Sequence, residues 1–179
     1  MRVGVDGMML ASVDEAMDIT ESIASDKKLA EYYLLNYEVE LQRYREAKEE
    51  YMTYKPEQDD NVGGGKGNMT GNPTEQTALK GMQFDSTYEG YKWLKAVEIV
   101  QRGLGERKNI FIRVRREAER NNLYTIGRGR KGWVLFVQRR YAEEIERRFI
   151  VPEVRIGERT IQSWWYDLIN QAIFVANKI

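Results

Sequence analysis

From residue 26 to about residue 54 the chain contains neither Gly nor Pro, and Leu34, Tyr37, Leu41, Tyr44, Lys48 and Tyr51 follow one another at alternating steps of three and four. A backbone with about 3.6 residues per turn gathers such positions on one stripe, so the stretch predicts one long helix with a heptad seam interrupted once by a Lys. A seam of Leu and Tyr needs a surface to bury it. Spacing leaves two sources for that surface: another helix of this chain, or a second copy that would make the 26–54 helix a route to a homo-oligomer. Periodicity alone accounts for the tyrosines as packing residues rather than a cofactor box.

Similar punctuation runs through the rest of the chain. Ser12, with Glu15 three residues on, predicts a capped short helix over about 12–24. Over 55–72 periodicity fails, with Pro56, Asp59, Asp60 and the run Gly63-Gly64-Gly65-Lys66-Gly67, as in a flexible loop or linker. Asn72-Pro73-Thr74-Glu75 then opens a helix with Asn as N-cap and Pro at the first helical position. Leu79, Met82, Tyr88, Tyr91, Leu94, Val97 and Leu104 keep its helical spacing, with Gly81 and Gly90 as points of interruption. Further helices are expected over 106–121, 133–149 and 158–177, with a loop before the second of them. The expected fold is all-α: long N-terminal helices plus a C-terminal helix-turn-helix. Three regions follow: 1–55 helical, 56–72 a Gly-rich linker, and 73–179 helical with the helix-turn-helix at about 133–177.

Composition removes whole classes of chemistry. With no Cys and no His, the chain lacks thiol nucleophiles, disulfides, thiolate or imidazole zinc sites and the commonest general base. The acidic pairs Glu49/Glu50, Asp59/Asp60 and Glu143/Glu144 are sequence neighbours, which on a helix diverge by about 100° and do not converge on a metal. The Gly63–Gly67 run has no Ser or Thr after Lys66 and lacks phosphate-loop spacing. Gly127-Arg128-Gly129-Arg130-Lys131-Gly132 fits G-x-G-x-x-G, but it is crowded with cations and stands outside any alternation of strand and helix. It reads instead as a cationic loop suited to phosphates or a narrow minor groove. No enzyme activity, metal or cofactor is expected. No apolar run approaches the roughly 18 to 20 residues that span a bilayer, and residues 1–10 lack a leader pattern, so the expectation is a cytoplasmic protein with no membrane partner.

A net charge of zero conceals a division along the chain. Residues 101–160 hold 16 Lys and Arg against 8 Asp and Glu, a net of +8, whereas residues 1–100 hold 11 against 19, a net of −8. Such asymmetry suggests a polyanionic partner for the basic half, unless these are simply solvated helix faces.

The last two helices are the most informative. Ala142, Ile145 and Phe149 lie on one side of the first; a break containing Pro152 follows, and Ile156-Gly157-Glu158 opens the second, with Ile156 filling the angle and Gly157 as N-cap. On a 100° projection Ile161, Trp164, Trp165, Leu168, Ile169 and Ala172 form an inner face, while Arg159, Gln162, Ser163, Tyr166 and Asn170 gather outside. A solvent face normally carries Lys and Glu; a polar, nearly uncharged face suits base edges and phosphates. Arg159, Gln162, Ser163 and Tyr166 are therefore the candidate base readers on double-stranded DNA. Arg128, Arg130, Lys131, Arg139, Arg140, Arg147, Arg148 and Arg155 are the candidate phosphate contacts.

The run Ile156-Gly157-Glu158-Arg159-Thr160-Ile161 resembles the I-S-[DE]-R-T opening of the recognition helix in the RinA, ArpU and Xpf group of phage late-gene transcription regulators, with Gly157 where Ser is usual. Upstream, Asp60-Asn61-Val62-Gly63-Gly64-Gly65 followed by Asn72-Pro73-Thr74-Glu75 resembles the group's N-I-G-G-G … T-E segment in type and order. The resemblance covers roughly 41–176 and departs from the pattern at the 121–132 loop and the long 149–155 turn. It implies a helix-turn-helix like sigma factor region 4 and, in a bacterial host cell, activation of phage packaging and lysis genes from promoter DNA beside host RNA polymerase. The competing expectation is a DNA-packaging protein of the small-terminase kind, which also joins a helix-turn-helix to oligomerising helices.

Overall fold

The computed structural model describes residues 6–54, 73–121 and 132–179, with side chains from residue 21 onward in the first segment and from residue 74 in the second. Among these residues there are six helices and no strand: α1 (Asp6–Thr53), α2 (Pro73–Thr87), α3 (Tyr91–Gly103), α4 (Glu106–Arg120), α5 (Gly132–Phe149) and α6 (Glu158–Ala176). The expected all-α class is what the chain adopts.

The two N-terminal helices expected from the sequence are one. Ser12 lies inside α1 rather than at a helix start; the interruption falls instead at Asn36, whose φ of −103° and ψ of 15° are non-helical. Two side chains attend the kink. The Asn36 amide donates to the Tyr32 carbonyl at 3.0 Å, and Arg116 Nε, from α4, donates to the Leu34 carbonyl at 2.8 Å. A polar group engaging the carbonyl ladder is a recognised cause of helix bending.

The tyrosine seam finds its partner within the chain. Leu34 is buried, and Tyr37, Leu41, Tyr44, Lys48 and Tyr51 are half-buried. Tyr44 packs against Phe84, Tyr88 and Tyr91, and Tyr51 against Phe84. Lys48 reaches Asp85 of α2 at 2.6 Å while Tyr44 donates to the same carboxylate at 2.5 Å, so the one cation of the seam is neutralised across the interface. Desolvation leads the causes that push the Tyr44 hydroxyl above its usual range.

α2 starts at Pro73 as its sequence demands and runs through Gly81; the break falls at 88–90 instead. Gly90 is required there by close approach, since a Cβ would overlap the Tyr33 hydroxyl. Leu79 and Met82, expected on the apolar stripe, are exposed, and Phe84 is the apolar side chain of α2 that packs on Tyr44 and Tyr51 of α1.

One core unites both halves of the chain. Ala30 and Leu34 of α1 join Trp93, Val97, Phe111, Val114, Val137, Ile161, Trp165 and Leu168 in a single buried cluster. α4 packs on α5, and α6 on α3 and α1. α5 and α6 also touch across the 150–157 turn, where Ile150 and Glu153 adopt left-handed φ values of 53° and 49°. Non-glycine residues in that region cost on the order of 1 kcal/mol or more each. Two hydrogen bonds hold the turn: the Val154 amide donates to Glu146 Oε1 at 2.8 Å, and Gln138 Nε2 donates to the Ile156 carbonyl at 2.9 Å.

Candidate nucleic-acid interface

α6 begins where its sequence says. Gly157, with φ −74° and ψ 151°, is the N-cap, and no side chain accepts from the first turn, although Glu158 stands there to favour the dipole. Ile161, Trp165, Leu168, Ile169 and Ala172 are buried, and Trp164 is half-buried against Phe111 and Tyr141. On the opposite side Arg159, Ser163, Tyr166 and Asn170 are exposed, Tyr166 to 64%. Gln162 sits at the edge of this stripe, half-buried, its amide donating to Glu158 Oε1 at 3.1 Å. Three of the four candidate readers thus share one open face. The stripe is narrow, because α6 is flanked by Lys28, Glu31 and Tyr32 of α1 on one side and by Ile99 and Gly103 of α3 on the other. Glu158 and Asp167 are the carboxylates α6 itself carries.

The candidate phosphate contacts divide. Arg128, Arg130 and Lys131 lie outside the described residues. Each of the others has a carboxylate partner. Arg139 reaches Glu143 at 3.1 Å, Arg148 reaches Glu106 at 2.5 Å, and Arg155 reaches Glu153 at 3.6 Å. Arg147 and Arg140 both reach Glu144, at 2.8 and 3.2 Å, and Arg113 completes a set of three guanidiniums around that buried carboxylate. Coulombic attraction to Glu117 leads the causes that raise the Arg140 pKa, and hydrogen bonding from Arg139 leads those that lower the Glu143 pKa. Exposed pairs of this kind are worth about 0 to 1 kcal/mol, so a phosphate can replace the carboxylate at Arg139 or Arg155 at little cost. Arg140 and Arg147 are less free, since each shares with Arg113 in balancing the buried Glu144 carboxylate. Arg159 has no carboxylate partner among the described residues.

Two arginines counted in the basic half do not face outward at all. Arg116 is buried on the Leu34 carbonyl and over the Tyr37 ring, 5.4 Å from its centroid, and burial lowers its pKa. Arg115 is buried between two indoles, 4.4 Å from the Trp133 centroid and 5.0 Å from that of Trp165, and it pairs with Glu119 at 3.0 Å. The Trp165 indole N–H donates to Glu31 Oε1 at 2.9 Å, tying α6 to α1. A signal for this was present: Ile110, Phe111, Ile112 and Val114 cannot share one helical face, so α4 has to be covered on several sides and its neighbouring arginines with it. Acidic α1 also meets basic α4 directly, with Glu38 3.8 Å from Arg116 and 3.7 Å from Arg120. Part of the charge division along the chain is therefore settled inside the molecule.

Among the described residues no group of His, Cys, Asp and Glu is arranged to hold a metal ion, and no helix is long and apolar enough to cross a membrane. Comparison with protein-family models, with curated proteins and with solved structures gives no match.

Proposed function

We propose that the protein is a sequence-specific DNA-binding transcription regulator, without enzymatic activity, of the kind that activates phage packaging and lysis genes beside host RNA polymerase. In this reading α5, the 150–157 turn and α6 act as the helix-turn-helix, and α6 lies in the major groove. The observation that carries it is the exposed, nearly uncharged stripe of Arg159, Ser163, Tyr166 and Asn170 on a helix whose other side is core. It has the donors and acceptors that base edges need, and it starts at a helix terminus with open N–H groups between Arg155 and Arg159, which suits a phosphate. Cytoplasmic location, in a bacterial host cell, belongs to the same proposal.

The test is binding of the full chain to promoter and random duplexes across salt concentrations. Arg159→Ala and Gln162→Ala should lose about 1–3 kcal/mol of discrimination each while keeping most non-specific affinity. Arg139→Ala with Arg140→Ala should weaken binding to every sequence and flatten the salt slope. Unchanged sequence preference in folded Arg159→Ala and Gln162→Ala variants would remove α6 from the groove. A ring-shaped oligomer in solution would then favour a DNA-packaging role.

A further inference from the structure

Beneath the 150–157 turn, α4, α5 and the start of α6 enclose a pocket of about 330 Å³. Every polar side chain in its lining can donate a hydrogen bond, and no carboxylate lines it. Arg107 of α4 and Arg155 of the turn bring guanidiniums, Tyr141 and Thr160 bring hydroxyls, and Gly157 marks the first turn of α6, whose N–H groups no side chain caps. Carboxylates of the surrounding segments meet other partners: Glu106 pairs with Arg148, Glu146 accepts from the Val154 amide and Glu158 accepts from Gln162. Arg107 lies over the Phe149 ring, 5.2 Å from its centroid, and forms no ion pair among the described residues. Arg155 pairs with Glu153 at 3.6 Å, both side chains being almost fully exposed, and such a pair yields easily to another anion.

The buried member of this set is Tyr141. It is 3% exposed, it meets the rings of Phe111 and Trp164, and its hydroxyl donates to no acceptor among the described residues. Burial pushes that hydroxyl above its usual range, and the charge of Arg107 pulls against the shift. A buried hydroxyl without an acceptor is costly, and the cations and helix terminus around it favour an acceptor that is an anion. The rest of the pocket is apolar, through Ile145, Val154, Ile156 and Trp164. We propose that the pocket binds a small organic carboxylate with a branched or aromatic body, its oxygens held by Arg107, the Tyr141 hydroxyl and the first N–H groups of α6, its body on those apolar side chains. A neutral molecule of the same shape leaves the guanidiniums unanswered. An inorganic or backbone phosphate sets strongly hydrated oxygens against Ile145 and Trp164. A pocket of this size suits a ligand no larger than a small ring or branched chain with its carboxylate. Arg159, Ser163, Tyr166 and Asn170 lie outside the lining, so the site does not depend on α6 reading duplex DNA.

The experiment titrates the full chain with benzoate and 3-methylbutanoate, with benzyl alcohol and 3-methylbutanol as uncharged counterparts, and with inorganic phosphate, following the indole N–H signals of the four tryptophans. At least one carboxylate should move Trp164 saturably, leave Trp93 and Trp133 in place, and bind about tenfold or more tightly than its alcohol and than phosphate. Tyr141→Phe removes the hydroxyl and keeps the ring, and should weaken that carboxylate about tenfold. Arg107→Gln should weaken it by about as much or more. The absence of a saturable Trp164 shift with either carboxylate overturns the proposal. So does an alcohol or phosphate that binds as tightly as the carboxylate, a response shared equally by Trp93 and Trp133, or affinity unchanged in both variants. If Tyr141→Phe does not fold, Arg107→Gln, altered at an exposed side chain, decides the matter.

Discussion

α4 and α6 have similar lengths and opposite characters. α4 carries six Lys and Arg residues and α6 one, yet it is α4 that is enclosed, with Phe111, Ile112, Val114, Arg115, Arg116 and Ala118 all buried. α6 is apolar by composition but keeps Arg159, Ser163, Tyr166 and Asn170 in the open. The difference teaches that the number of charges on a helix does not say where they act. A helix covered on several sides must match its cations with carbonyls, carboxylates and rings, because an unmatched buried charge costs several kcal/mol. A helix covered on one side leaves its remaining face available, however few charges it bears.

The sharpest way to break this comparison is to empty the buried side of α6. Trp165→Ala removes the ring on which Arg115 stacks and the indole that holds Glu31, and it should destabilise the chain by roughly 3–5 kcal/mol in denaturant unfolding. A loss below about 1 kcal/mol would mean that α6 is not anchored as described.

Next comes Arg116 in α4. Arg116→Ala should cost about 1.5–3 kcal/mol, since the Leu34 carbonyl loses a charged donor in a buried place, and its effect on duplex DNA binding in the folded protein should be small. Strong loss of DNA affinity without loss of stability would show that α4 acts outward, contrary to its burial.

The smallest effect on stability is expected at Arg139, whose side chain is 85% exposed. Arg139→Ala should shift stability by no more than about 0.5 kcal/mol while weakening binding to all DNA sequences. Together the Arg116 and Arg139 variants ask whether arginines of one sequence region divide into structural and ligand-facing sets.

Much of the fold was legible because local rules carried it. Pro73 at the start of α2, Gly157 at the start of α6 and the 3–4 spacing of the α1 seam each express backbone sterics or helical geometry that neighbouring residues determine. The break at Gly90 rather than Gly81 was not legible. Both residues are equally permissive, and it is the Tyr33 ring from α1, with the Tyr88 ring beside it, that leaves no room for a Cβ at Gly90. The exposed set on α6 could be projected from sequence, but the placing of Gln162 in a cleft depended on α1 lying alongside.

By itself, then, the sequence determined the helical class, most helix boundaries after residue 72, and the inward and outward faces of α6. Those follow from periodicities that the chain carries within a few turns. Tertiary structure alone decided that the α1 seam is covered by α2 and α3 of the same chain, that α1 kinks at Asn36, and that Arg115 and Arg116 work inside. The physical reason is that the environment of a charge is set by whatever packs against it. Leu34 and Arg116 are 82 positions apart in the chain and 2.8 Å apart in the fold.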